Sequence, residues 1–218
     1  MYDRLKLIFE VNMLHASKSD ATRSAILEHA LEIASQGGLE SLTIGGLADA
    51  LRMSKSGVFA RFGSRETLQL AVLDRYRQRF EAQVMAVSLC SEPGLPRLRR
   101  LFRMSLHQVS SGQPAGCFYI SCAAEYDDRP GSVRHQLASG VAAWRDAFEL
   151  SAREAVGAGH LAPDTCPRQL VFEIYALLLA AQHDLRLLER GDGSMRAEAG
   201  FQRIVSRCMV QPPVQPQP

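Results

Sequence analysis

The stretch SLTIGGLADALRMSKSGVFARFGSRETL, residues 41–68, decides how this chain folds. Thr43 offers a capping hydroxyl ahead of a short segment whose apolar side carries Leu47, Ala48 and Leu51. Ser54 does the same for a second segment containing Val58 and Phe62. Two short helices over 43–51 and 54–61, joined by a tight turn, form a helix-turn-helix. Ala48 is small where the helices must approach, and Val58 fills the space between them. The second helix then presents Lys55, Ser56, Gly57, Ala60 and Arg61 outward. Ser64 reads as the N-cap of a long helix predicted over 65–89, with Glu66 in its first turn favourable to the helix dipole.

Outward from this stretch the chain reads as all-α, because apolar residues recur at three- and four-residue steps and alternating β patterns are almost absent. Upstream, Ile26, Leu27, Ala30, Leu31, Ile33 and Ala34 share one face of a helix over 20–37, which Gly37 and Gly38 end cheaply. Downstream, Leu98, Leu101, Phe102, Ser105, Leu106 and Val109 mark a helix that stops at 111–114, followed by a short apolar segment over 117–126. Pro130 is placed at the start of the next helix, which carries Val133, Leu137, Val141, Trp144, Phe148 and Ala155 and ends at 157–159. Pro167 starts the most apolar helix, greasy on more than one side, and Ser194 is read as the cap of the last. The expected organisation is about nine helices: an extension over 1–17, a three-helix domain over 18–65 that contains the helix-turn-helix, a larger helical domain over 66–210 and a proline-rich tail over 211–218.

The 25 Lys and Arg against 23 Asp and Glu leave a net charge of only +2, so the total points to no polyanionic partner. The longest apolar runs, such as 176–181, fall far short of the roughly 20 residues that cross a bilayer, so no membrane partner is expected. Glu10 and Asn12 interrupt the apolar start, so no secretory signal is read, and Met13 is a second candidate start. Five cysteines, Cys90, Cys117, Cys122, Cys166 and Cys208, form no CxxC pair. They fit reduced thiols in a cytoplasm, with neither a disulfide framework nor a zinc site. No cofactor is expected.

Charge becomes informative locally. Residues 52–65 hold four basic side chains and no acidic one, bracketed by Asp49 and Glu66. A basic second helix with small polar residues at its N-terminus suits the major groove, where Lys and Arg meet phosphates and short side chains reach base edges. The competing reading is a solvated basic face on a core helix pair.

Residues 20–68 resemble the DNA-binding domain of the TetR family of transcriptional regulators, through the LT, the LA pair, SKSGVF and the FGSRETL entry into the fourth helix. GCFYISCAAEYDDRPGSVR resembles the region of the sixth and seventh helices in one subgroup more loosely. The resemblance implies that Thr43 and Arg65 meet the DNA backbone and that Lys55, Ser56, Gly57 and Arg61 face the groove, with Ser54, Phe59 and Ala60 completing the expected DNA-binding set. Two positions depart from the family pattern. Arg52 stands where Gly is usual, at a cost of about 1 kcal/mol if the turn needs positive φ. Phe59 stands where Tyr is common, which keeps the packing and loses a hydroxyl.

The same resemblance implies that the larger domain holds a homodimer interface and a pocket for a small-molecule effector. Leu170, Ile174, Leu177, Leu178, Ala181 and Leu185, with Phe201, Ile204 and Val205 of the last helix, are the expected dimer residues. Two recognition helices would then lie about 34–36 Å apart on a palindromic double-stranded DNA operator. Phe102, His107, Cys117, Phe118, Cys122, Trp144, Phe148, Phe172 and Tyr175 are the expected pocket residues, suited to an apolar or aromatic effector. The expected function is a ligand-responsive repressor, with a non-inducible DNA-binding dimer as the alternative. Cys117 with His107 or His135 could be imagined as a hydrolase pair, but no strand-turn-helix elbow fixes that geometry, so no enzyme is expected.

Overall fold

The computed structural model of the chain describes residues 18–111 and 117–210. Among these residues it is all-α, with nine helices and a lone antiparallel bridge between Leu161 and Met209. The chain divides between Arg75 and Tyr76 into two compact units, later than the expected position 65.

The first unit contains α1 (Lys18–Gly37), a 3₁₀ turn (Leu39–Ser41), α2 (Ile44–Ala50), α3 (Lys55–Phe62) and the beginning of α4 (Arg65–Phe80). Gly38 takes φ 83° just past α1, a left-handed angle that glycine adopts without a Cβ penalty. Ile26, Leu27, Ala30 and Leu31 of α1 are buried, as are Leu47, Ala48, Val58 and Phe62 of the helix pair. The first turns of α4 belong here because Leu68 and Val72 are buried. Gln69 donates its amide to the Leu39 carbonyl at 2.9 Å, and Arg75 pairs with Glu28.

The second unit begins within α4. That helix passes through a π-helical segment (Glu81–Met85) and a last α-helical turn (Ala86–Leu89), so the expected 65–89 rod holds with one widened turn. There follow α5 (Leu95–Ser110), α6 (Phe118–Tyr126), α7 (Ser132–Gly157), α8 (Pro167–Arg186) and α9 (Gly193–Cys208). The expected stop at 111–114 lies largely outside the described residues, as do the 1–17 extension and the 211–218 tail, Met13 included.

Two expected helix starts are corrected. Pro130 lies ahead of α7, which begins at Ser132 after Gly131 with φ 136°. Ser194 is not a cap: α9 begins one residue earlier, and the Ser194 hydroxyl has no hydrogen-bond partner. At this start α9 presses on α8, since a Cβ on Gly193 would lie 3.0 Å from Asp184 Cβ and 3.2 Å from Leu185 Cγ.

α8 packs against α9, α7 and α5, and α6 packs on α7. Aromatic rings fill the interior. Phe102 of α5 stacks on Phe201 of α9 at 4.1 Å, and Trp144 meets Phe80 and Tyr175 edge-on while donating its indole N–H to the Ser105 hydroxyl at 3.0 Å. Buried Gln182 on α8 accepts from the Cys117 backbone amide and donates to the Ser121 hydroxyl, both at 3.0 Å, satisfying its polar end inside an apolar core. Among the described residues no helix is long and apolar enough to cross a membrane, and no group of three His, Cys, Asp or Glu could hold a metal ion.

Candidate nucleic-acid interface

α2 and α3 start with the same local device. Thr43 Oγ1 accepts from the Gly46 amide at 3.0 Å, and Ser54 Oγ accepts from the Gly57 amide at 3.1 Å. The glycines let the hydroxyls come this close, because a Cβ on Gly46 would sit 3.1 Å from Thr43 Oγ1 and one on Gly57 only 2.9 Å from Ser54 Oγ. A hydroxyl has one proton and two lone pairs, so capping uses only acceptor capacity. Ser54 accepts a second bond from the Ser56 hydroxyl at 3.2 Å, again as acceptor. Both cap hydroxyls are exposed and keep a proton to donate to a phosphate oxygen.

The turn between the helices is locked by backbone bonds. The Leu51 amide reaches Leu47 O at 3.0 Å, Arg52 reaches Asp49 O at 3.2 Å, and Met53 reaches back five residues to Ala48 O at 2.9 Å. Such a closure places its pivot residue in the left-handed region, and Arg52 takes φ 53° there. Ala48 and Val58 are fully buried where the helices meet. Lys55 lies over α2, its Cε 3.4 Å from where a Gly45 Cβ would stand.

Outward on α3 are Lys55, Ser56, Phe59 and Ala60, all exposed, with Phe59 at 56%. Gly57 and Arg61 are half-buried on its flank, where Arg61 Nη1 donates to the Gly57 carbonyl at 2.7 Å. Arg65, expected at the DNA backbone, has partners within the chain. Its guanidinium donates to the carbonyls of Leu42 (3.0 Å) and Glu40 and pairs with the Glu40 carboxylate at 3.0 Å, so it ties α4 to the 3₁₀ turn. A cation absent from the expected set also appears. Arg23 of α1 lies 5.2 Å from the centre of the Phe62 ring, beside the end of α3, a contact too distant along the chain for any local pattern to announce.

In the second unit the expected effector and dimer residues turn inward. Phe102, Cys117, Phe118, Cys122, Trp144 and Phe148 are core side chains, Tyr175 is half-buried under Arg145, and only His107 and Phe172 are exposed. Burial pushes the Cys117 thiol up from its ordinary value, which favours the protonated form, and its neighbour is the Tyr76 hydroxyl at 3.7 Å. Leu170, Ile174, Leu178, Ala181, Phe201 and Val205 are buried in the chain's own core, while Leu177, Leu185 and Ile204 are half-buried. Leu177 closes over Gly200, where a Cβ would meet its Cδ2 at 2.7 Å. The outward side of α8 is instead Phe172, Ala176 and Leu179.

Open clefts surround α6, α7 and α8. One of about 320 Å³ runs between α6 and α7, lined by Ala123, Tyr126, Asp127, Arg134, Leu137, Ala138, Val141, Ala142 and Arg145. A larger one of about 650 Å³ lies between α6 and α8, with Tyr175, Leu179 and His183 among its walls.

Residues 26–72 match the family described as bacterial regulatory proteins, tetR family, and residues 94–201 match the tetracyclin repressor-like C-terminal domain. A curated relative, the HTH-type transcriptional repressor ComR of Escherichia coli K12, is 29% identical over 119 residues, 54% of this chain. That alignment spans only 57% of the relative's own length. Among solved structures, a TetR-family regulator from Cytophaga hutchinsonii shares the fold with a TM-score of 0.79 at 18% identity, covering 91% of this chain and all of the other. AibR, solved with isovaleryl coenzyme A and operator DNA, gives 0.66 at 22% identity, covering 85% and 97%. With its capped helix pair, its basic turn and both family matches in place, the chain belongs to the TetR family of DNA-binding transcriptional regulators.

Proposed function

We propose that the chain is a cytoplasmic, ligand-responsive repressor that binds a palindromic operator as a homodimer and leaves it when a small apolar or aromatic effector binds. The observation that carries the reading is the surface around α3: two capping hydroxyls with protons to donate, next to Arg52 and Lys55, which have no carboxylate partner among the described residues. Such a surface positions a helix on phosphates while Ser56, Phe59 and Ala60 meet base edges.

The exposed stripe of Phe172 (61%), Ala176 and Leu179 on α8 supports the dimer, since an isologous contact would cover it on both protomers. The apolar cleft between α6 and α7 supports a small effector. The closed aromatic core around Trp144 favours the second reading, a dimer that no ligand releases. If an effector weakens operator binding, DNA must weaken effector binding by the same factor. Selection of bound sites from random duplexes, with the mass of the complex measured in solution, tests both symmetry and target. A palindrome holding two protomers, half-sites one helical turn apart, is expected. A single half-site held by one protomer would overturn the dimer. Apolar and aromatic compounds that bind the body yet leave operator affinity unchanged would establish the non-inducible alternative.

A further inference from the structure

Arg52 is a residue held in a conformation that glycine adopts more readily. It is one of two non-glycine residues with positive φ among the described residues, the other being Glu189. The turn gives it no way out, because the amides on either side are fixed by the bonds to Leu47 and Ala48 that end α2. Its side chain is exposed, has no hydrogen bond or ion pair among the described residues, and stands three residues before Lys55 at the N-terminal end of α3. Neither packing nor pairing among the described residues explains an arginine there. Backbone strain that no internal contact offsets points to a contact outside the molecule.

We infer that Arg52 is a phosphate-binding residue of the DNA interface, projected by the strained turn to grip the backbone beside the groove that α3 enters. Its left-handed backbone fixes where the side chain leaves the turn, and its delocalised guanidinium can hold two phosphate oxygens at once. The contact carries no base information. It adds to affinity for any duplex and helps to set how deep α3 seats. This rests on the DNA-binding role of α3 and adds to it a contact from the turn itself.

The experiment compares the parent chain with Arg52→Gly and Arg52→Lys, using as probes the duplex selected by the parent from a random library and an unrelated duplex of equal length. Arg52→Gly is expected to melt no lower than the parent, and by relief of strain about 2–4 °C higher. It should bind both duplexes about tenfold more weakly, with the slope of log affinity against log salt flatter by about 0.9 per protomer. Arg52→Lys should restore the slope. An unchanged affinity and slope in Arg52→Gly would overturn the inference while leaving the DNA-binding role intact. A loss confined to the selected duplex would overturn the assignment to phosphate. A loss of affinity with the slope unchanged would show that the turn only positions α3. If the parent bound neither duplex, the DNA-binding reading itself would fall, and this inference with it.

Discussion

Arg52 and Lys55 stand beside α3 with no carboxylate partner among the described residues, whereas Arg97 in α5 meets both oxygens of Glu154, at 3.1 and 3.0 Å, and also donates to the Ser91 carbonyl. Arg153 is likewise paired with Glu149 one turn away on α7, and Arg196 with Asp192, the residue just ahead of α9. Cationic side chains thus do different work at these positions. Arg97 neutralises a carboxylate and fastens α5 to α7, whereas at Arg52 and Lys55 the charge is left for a partner to neutralise. A net charge of +2 averages these situations and hides the one that matters. Arg65 is intermediate, carrying charge beside α3 while its donors are engaged by Glu40 and Leu42.

The contrast can be broken from either side. Trp144→Ala should give the largest effect, about 3–5 kcal/mol of lost stability in chemical denaturation, because it opens a cavity and leaves the Ser105 hydroxyl without its indole donor. A loss below 1 kcal/mol would mean that the aromatic core is loosely packed. Lys55→Ala combined with Arg61→Ala should leave the melting temperature nearly unchanged and lower operator affinity about 100-fold, roughly 2.7 kcal/mol. Titration at several salt concentrations checks it, and unaltered binding would remove α3 from the interface.

Ser54→Ala removes the cap of α3 and should cost about 1 kcal/mol in denaturation, along with a modest loss of DNA affinity. Glu40→Gln is the smallest and sharpest test. The Arg65–Glu40 pair is exposed enough to contribute at most about 1 kcal/mol. Deleting the acid should raise affinity for any duplex a few-fold by adding uncompensated positive charge next to α3. Weaker binding would show that Glu40 is needed to orient the head. Thiol labelling checks the body separately: Cys90 and Cys166 should react with iodoacetamide in the native protein, and Cys117 and Cys122 only after unfolding.

What the sequence made legible is what acts over one or two helical turns. The caps at Thr43, Ser54 and Ser64 join groups three residues apart, so spacing alone announces them, and the apolar period of each helix survives in the structure. Contacts between distant segments left no such mark. Arg65 with Glu40 and Arg23 with Phe62 depend on how the helices of the first unit come together. The apolar period also showed that α8 has two greasy sides without showing which faces inward. Val171 and Gln182 mark the inner side, and a buried glutamine is not what hydrophobic spacing selects. The aromatic residues looked suited to a pocket because pockets and cores draw on the same side chains, and only their mutual stacking tells the two apart.

The stacking of Phe102 on Phe201 has a consequence for how the protein is made. α5 opens the run of helices that builds the body after α4, and α9 is its last described helix, so the ribosome must deliver α9 before Phe102 can leave water. Until then a nascent body exposes one face of α5 and the inner side of α8. The reading head is a compact unit that ends at Arg75, so it should be able to fold while the rest is still being synthesised. A chain cut before Phe201 should therefore keep a folded head on a sticky, half-made body, the form that chaperones and proteases would meet first.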